Sequence, residues 1–215
     1  MAKVKFPKKV EIGGYLVEVV HPYVFEDNTN LYGNFCSGTM TVFISGEENI
    51  DNQTLFGIFL HEFIHAIDSV YLGFVLSEDM VDSIARGLLQ VFRTNDLNYL
   101  DITIDDVPDS LMIGGLVYNI IYPHVFIDHE FENTLSYVPK DLKEIRMADT
   151  FNNQEVADVT IRCGLLVGIL YSIIEEYHGN SEERLPKGAL IPLANGLYQF
   201  IKNTKLEERI KRWLN

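Results

Sequence analysis

Cysteine is scarce in this chain. Only Cys36 and Cys163 occur, far apart and outside any C-x-x-C pattern. That argues against a disulfide framework, and a reducing, cytosolic setting is the simpler reading. Both thiols are expected to behave as buried small hydrophobes. Positive charge is scarce as well: 17 Lys and Arg stand against 31 Asp and Glu, for a formal net charge of −14. An acidic surface of this kind argues against nucleic acid or an anionic membrane as a direct partner. Long apolar runs are missing. The most apolar stretch, Gly164 to Ile174, is too short to span a bilayer and reads as a buried helix. Met1 to Val10 is basic but lacks a following apolar segment, so no signal peptide is expected and the expected location is cytoplasmic. What is present is core material: 47% hydrophobic and 12% aromatic residues in 215, enough for one larger domain or two small ones rather than a disordered chain.

The N-terminal part reads as α+β. Val4 to Phe6 and Val10 to Val20 have strand chemistry, broken at Gly13-Gly14 like a hairpin, and His21-Pro22 is expected to end the run. Gly33 to Gly38 reads as a turn-rich bridge, and Thr39 to Ser45 as another strand. Asp51 or Asn52 is placed to cap a helix from Gln53 to about Leu72, with Gly73 as its stop. Ser77 is placed to cap a second helix to about Thr94. Asn95 to Ser110 is polar and reads as a linker.

The first of these helices carries His61-Glu62-Phe63-Ile64-His65. Histidines at i and i+4 share one helix face, so both rings can reach one tetrahedral ion. Glu62 can reach a water bound to the same ion, which is the minimal layout of a zinc-dependent hydrolase. A catalytic zinc usually takes a third protein ligand. Glu78, at the start of the next helix, is the first choice, with Asp79 and Asp82 as alternatives. Asp82 is placed to accept a hydrogen bond from the far nitrogen of a ligand histidine, fixing its tautomer and ring angle. Asp68 is a weaker candidate for that task.

After the linker the chain starts again. Ile12 to Asp27 can be laid on Ile113 to Asp128 without a gap, Tyr71-Leu72-Gly73 on Tyr177-His178-Gly179, and Ile84 to Gln90 on Leu193 to Gln199. The order is the same in both halves, so a tandem duplication is expected, with copies at 1–105 and 106–215. The second copy has lost the chemistry. The apolar run Leu165 to Ile174 falls where the two histidines were, Glu78 falls on Lys187 and Asp82 on Ile191. His61, Glu62, His65, Glu78 and Asp82 are lost together while the core positions between them stay apolar, which marks the five as one constellation.

H-E-F-I-H-A-I-D followed by E-D-M-V-D on a second helix resembles the gluzincin layout of H-E-x-x-H plus E-x-x-x-D. The resemblance covers about residues 12 to 95 and is specific around 61–68. Within that group, the small phage and Gram-positive bacterial domains related to the ImmA/IrrE and SprT-like families are the nearest in layout. The resemblance implies two tandem minigluzincin-like units, each a small, mainly antiparallel sheet packed on an active-site-type helix and a second helix. Thr41 to Ser45 would be the edge strand beside the active-site helix. It also implies a zinc metallopeptidase acting on a protein or peptide substrate, with Glu62 as general base and Tyr71, Tyr32 or Arg86 as conceivable oxyanion donors.

Other readings remain at this level. The chain can instead be a phage-type accessory or inhibitory protein that keeps a metal site and acts by binding a protein partner, or a structural module whose histidines bind nothing. His21, His124, His129 and His178 read as structural or surface residues, and Glu175-Glu176 and Glu207-Glu208 as solvated.

Overall fold

A computed structural model describes residues 4–26, 31–95, 98, 101–126, 134–139, 141–151, 154–179, 185–186, 188–206 and 209. His129, Lys187, Glu207 and Glu208 lie outside them. The N-terminal half contains β1 (Lys9–Ile12), β2 (Tyr15–Tyr23), β3 (Gly33–Cys36), β4 (Thr41–Ser45), α1 (Asn52–Tyr71) and α2 (Glu78–Thr94). The C-terminal half contains β5 (Ser110–Ile113), β6 (Leu116–His124), β7 (Ser136–Tyr137), β8 (Glu144–Ala148), a small hairpin of β9 (Thr150–Phe151) and β10 (Gln154–Glu155), then α3 (Asp158–His178) and α4 (Leu190–Thr204).

The architecture is α+β, with two four-stranded mixed sheets of equivalent order, β1-β2-β4-β3 and β5-β6-β8-β7. In each, the outer pairings are antiparallel and the central one parallel. Registers repeat as well: Glu18 pairs with Thr41, and Asn119 with Glu144. Alternation along β1 turns Val10 and Ile12 inward and leaves Lys9 and Glu11 in water, as period-two patterning requires.

Three strand expectations change. Val4 to Phe6 does not pair; it lies as an extended tail whose Phe6 ring stacks on Phe59 and meets the His21 ring edge-on. His21-Pro22 does not end the run: β2 continues to Tyr23 across a cis peptide, with a register shift absorbed between Val20 and Tyr23. Gly33 to Gly38 is not merely a bridge. Its first four residues form β3, paired with β4 from Gly33↔Ile44 to Cys36↔Thr41. The edge strand beside α1 is therefore β3, and Thr41–Ser45 is an inner strand.

The helix ends follow local chemistry in the first copy. The Asp51 carboxylate accepts the Thr54 N–H at 2.9 Å and the Ser77 hydroxyl accepts the Met80 N–H at 3.2 Å, each satisfying an amide that has no partner within the helix. α3 begins after Ala157, the counterpart of Asp51, and α4 after Ala189, beyond the counterpart of Ser77; neither has a side-chain cap.

The helices are shared between the copies. α2 packs on both α1 and α3, and α4 on both α3 and α1; α2 also lies against β5, and α4 against β1. The cross-copy contacts are reciprocal. Gln199 Oε1 accepts the Gly13 N–H at 2.6 Å, and Gln90 Oε1 accepts the Gly114 N–H at 2.9 Å. Gly87 faces Ile173, and Gly196 faces Ile67. One contiguous buried apolar cluster runs from Val10 to Leu206 through both halves.

The second copy holds one polar cluster of its own. The Tyr118 hydroxyl and the Lys143 ammonium both donate to Glu176. Burial raises the Glu176 carboxyl, but these two donors outweigh it and hold it below the usual range. Glu176 is thus a bonded residue and not a solvated one.

Candidate metal centre

α1 presents His61 and His65 on one face, and the short α1–α2 connection returns the chain so that the first turn of α2 meets them. His61 Nε2 and His65 Nε2 lie 3.1 Å apart. Glu78 completes a triangle of residues, its carboxylate spanning the pair with Oε2 3.3 Å from His61 Nε2 and Oε1 3.3 Å from His65 Nε2. With one ligand atom taken from each residue, the three atoms all lie within 4.8 Å of one another, close enough to converge on one ion. Among the described residues, these three are the group of histidines, cysteines and carboxylates whose ligand atoms converge in this way. Two imidazoles and one carboxylate are also the donor set that zinc takes with an open fourth position. Burial lowers the proton affinity of His65, against the attraction of Glu78, which favours the neutral ring that a metal needs.

Asp82, one turn beyond Glu78, approaches the other side of the His61 ring, with Oδ1 3.6 Å from Nδ1. Its second oxygen is held by Arg86 at 3.0 Å. At that distance the carboxylate stands beside the His61 ring without a direct hydrogen bond to it, while an i+4 guanidinium holds it. Asp79 stands outside the triangle and lines a separate hollow between α2 and the end of α3.

Asp68 serves the site differently from the sequence expectation. It is 1% exposed, and its two carboxylate oxygens accept the N–H groups of Val75 and Leu76, each at 3.1 Å. Its carbonyl accepts the N–H groups of Leu72, Gly73 and Phe74. Asp68 therefore shapes the turn that delivers Glu78. Burial raises its carboxyl and the two amides oppose that.

Glu62 follows His61 and is only 6% exposed. Its carboxylate lies against β3, where it accepts the Phe35 N–H, and burial followed by the nearby Glu78 charge pushes its pKa up to about 8. A cation at the triangle would act on it in the opposite sense. Without a cation, its proton affinity lies in the range useful to a general base or acid near neutral pH. Beside the triangle, a groove of about 260 Å³ runs between the first half of α1 and α2, lined by Thr54, Gly57, Ile58, Asp82, Ala85 and Leu89 among others.

Of the conceivable oxyanion donors, the Tyr71 hydroxyl donates to Gln199 Oε1 at 3.1 Å and serves the junction of the copies. Arg86 stands beside Asp82, and Tyr32 is exposed immediately before β3. The cysteines lie apart from the centre and are half-buried, not core residues. Cys36 ends β3, where hydrogen bonding from Thr39 in the following turn lowers its pKa; the Cys163 thiol contacts Asn195 Oδ1 at 3.4 Å. His178 is buried, with Nδ1 3.4 Å from the Ser83 hydroxyl, and His124 packs edge-on against Phe126; both take structural places, as does His21.

The helix frame fixes the comparison between copies. The caps Asp51 and Ala157 correspond, as do Tyr71 at the end of α1 and Tyr177, one residue before the end of α3, so His61, Glu62, His65 and Asp68 fall on Val167, Gly168, Tyr171 and Ile174. Sequence reasoning missed β3, and with it Gly33 and the Phe35 amide. The available signal was a glycine opening a stretch whose alternate residues, Asn34 and Phe35, have opposite polarity. No family model, curated protein or solved structure matches this chain.

Proposed function

We propose that this chain is a zinc-dependent peptidase built from two minigluzincin-like units, the first carrying the site and the second having lost it. The observation that carries the reading is the His61–His65–Glu78 triangle with the buried Glu62 carboxylate beside it. Zinc bound there would activate a water and polarise a scissile carbonyl. The chain's own residues do the rest. His61, His65 and Glu78 hold the ion. Asp82, braced by Arg86, stands beside the His61 ring. Glu62 takes the proton of the attacking water and hands it to the leaving amine. The groove along Gly57, Ile58 and Leu89 receives a side chain of an extended protein or peptide substrate, and Arg86 or Tyr32 is available to the developing oxyanion.

Glu62→Gln tests this reading. The variant is expected to keep the bound zinc, because the ligands are untouched, and to lose about 10²–10⁴-fold in kcat on unfolded protein. Metal content and cleavage of a denatured protein, followed by mass spectrometry, read both effects. A wild-type chain that holds zinc and cleaves nothing would oppose the peptidase reading and leave the metal-containing binding protein.

A further inference from the structure

The helix that carries Glu62 crosses β3 at unusually close range. Gly33, at the start of β3, has no φ in the left-handed region, so any residue can adopt its backbone, and its glycine calls for another reason. A Cβ placed on Gly33 would lie 2.5 Å from Glu62 Oε1, 2.9 Å from Glu62 Cγ and 2.6 Å from Ile58 Cγ2. Real Cβ atoms do not approach that closely. A side chain at 33 and the Glu62 carboxylate in its observed place are mutually exclusive.

The second copy solves the same crevice the other way round. β7 pairs with β8 as Ser136↔Met147, the counterpart of Gly33↔Ile44, so Ser136 stands where Gly33 does. The helix frame puts Gly168 where Glu62 is. A Cβ on Gly168 would lie 2.8 Å from Ser136 Oγ and would collide with Ile145. In the first copy the helix sends a glutamate onto a bare strand; in the second the strand sends a serine onto a bare helix. The buried Ser136 hydroxyl has no hydrogen-bond partner among the described residues, which fits a residue that fills the space a carboxylate takes in the first half.

We propose that Gly33 is the positioning residue for Glu62: its missing side chain forms the seat in which the carboxylate lies against the Phe35 N–H, next to the metal ligands. The catalytic part of this inference rests on the peptidase reading; the steric pairing does not. At this crevice the two halves then differ by coupled positions, Gly33 and Glu62 in the first against Ser136 and Gly168 in the second, with Ile58 against Gly164 beside them.

A double-mutant cycle in the full chain tests the pairing without any activity. Gly33→Ser is expected to lower the thermal midpoint by on the order of 5 °C. In the Glu62→Gly background the same serine is expected to cost clearly less, because the two Glu62 contacts are gone and the Ile58 Cγ2 contact alone remains. Equal cost of Gly33→Ser in both backgrounds would overturn the pairing. If Gly33→Ser alone does not accumulate folded, Gly33→Ala closes the same cycle. On peptide substrate, Gly33→Ala is expected to bind zinc one to one, hold KM within about threefold and lose at least about tenfold in kcat. Unchanged kcat would overturn the positioning role even where the stability cycle shows coupling. A wild-type chain without activity, together with coupled stabilities, would retire the peptidase reading and keep the pairing.

Discussion

At the scale of single residues, the proposed centre depends on side chains outside the His61–His65–Glu78 group. Asp68 is the clearest. Its carboxylate and carbonyl accept the five successive amides from Leu72 to Leu76, and that connection sets where Glu78 falls. Asp68→Ala leaves the Val75 and Leu76 amides without their acceptor, a cost of about 1–3 kcal/mol. The expected outcome is a lowered thermal midpoint and a zinc affinity weakened by about tenfold, read by unfolding and by zinc titration; unchanged affinity would separate Asp68 from the site. The sequence showed His61, Glu62, His65, Glu78 and Asp82 because they form a spaced pattern that the second copy lacks. It could not show what Asp68 does. A carboxylate bonded to amides seven and eight residues on leaves no periodic trace, and on a helix it looks like a neighbour of His65.

At the scale of elements, helices were legible and the edge of the sheet was not. Asp51, Ser77 and Gly73 mark helix ends through local hydrogen bonds and turn geometry, so α1 and α2 fall within a residue or two of their expected limits. β3 is only four residues long and contains a glycine. Its strand character comes from pairing with β4 and from lying under α1, both of which are tertiary. The helix crossings depend on small residues in the same way. A Cβ on Gly87 would lie 2.8 Å from Ile173 Cγ1, and one on Gly196 would lie 3.1 Å from Tyr71 Cδ2 and overlap Ile67. Alanine favours an isolated helix over glycine by about 1 kcal/mol. Here overpacking, which costs about 1–3 kcal/mol, is expected to reverse that sign. Gly87→Ala and Gly196→Ala should therefore each lower the thermal midpoint; a rise in both would mean that the crossings are looser than they look.

At the scale of the whole molecule, the ordered matches fit the two sheets of equivalent strand order, but the way the halves combine was not legible. The expected units at 1–105 and 106–215 do not stand apart in the fold: α2 packs on α3 and β5, α4 packs on α1 and β1, and one core runs through both. The C-terminal half therefore supports the helix that bears His61 and His65. The chain is expected to unfold in one cooperative calorimetric transition, with the van't Hoff and calorimetric enthalpies equal; two resolved transitions would show that the copies are independent domains. No helix among the described residues is long and apolar enough to cross a membrane.

The central claim, a metal held by His61, His65 and Glu78, is met most directly by X-ray absorption at the zinc edge on the full chain loaded with one equivalent of zinc. The expected spectrum has two imidazole nitrogens and carboxylate and water oxygens, all at about 2.0–2.2 Å, with one imidazole lost in His65→Ala. A chain that takes up no zinc, or a spectrum dominated by sulfur at about 2.3 Å, would contradict it.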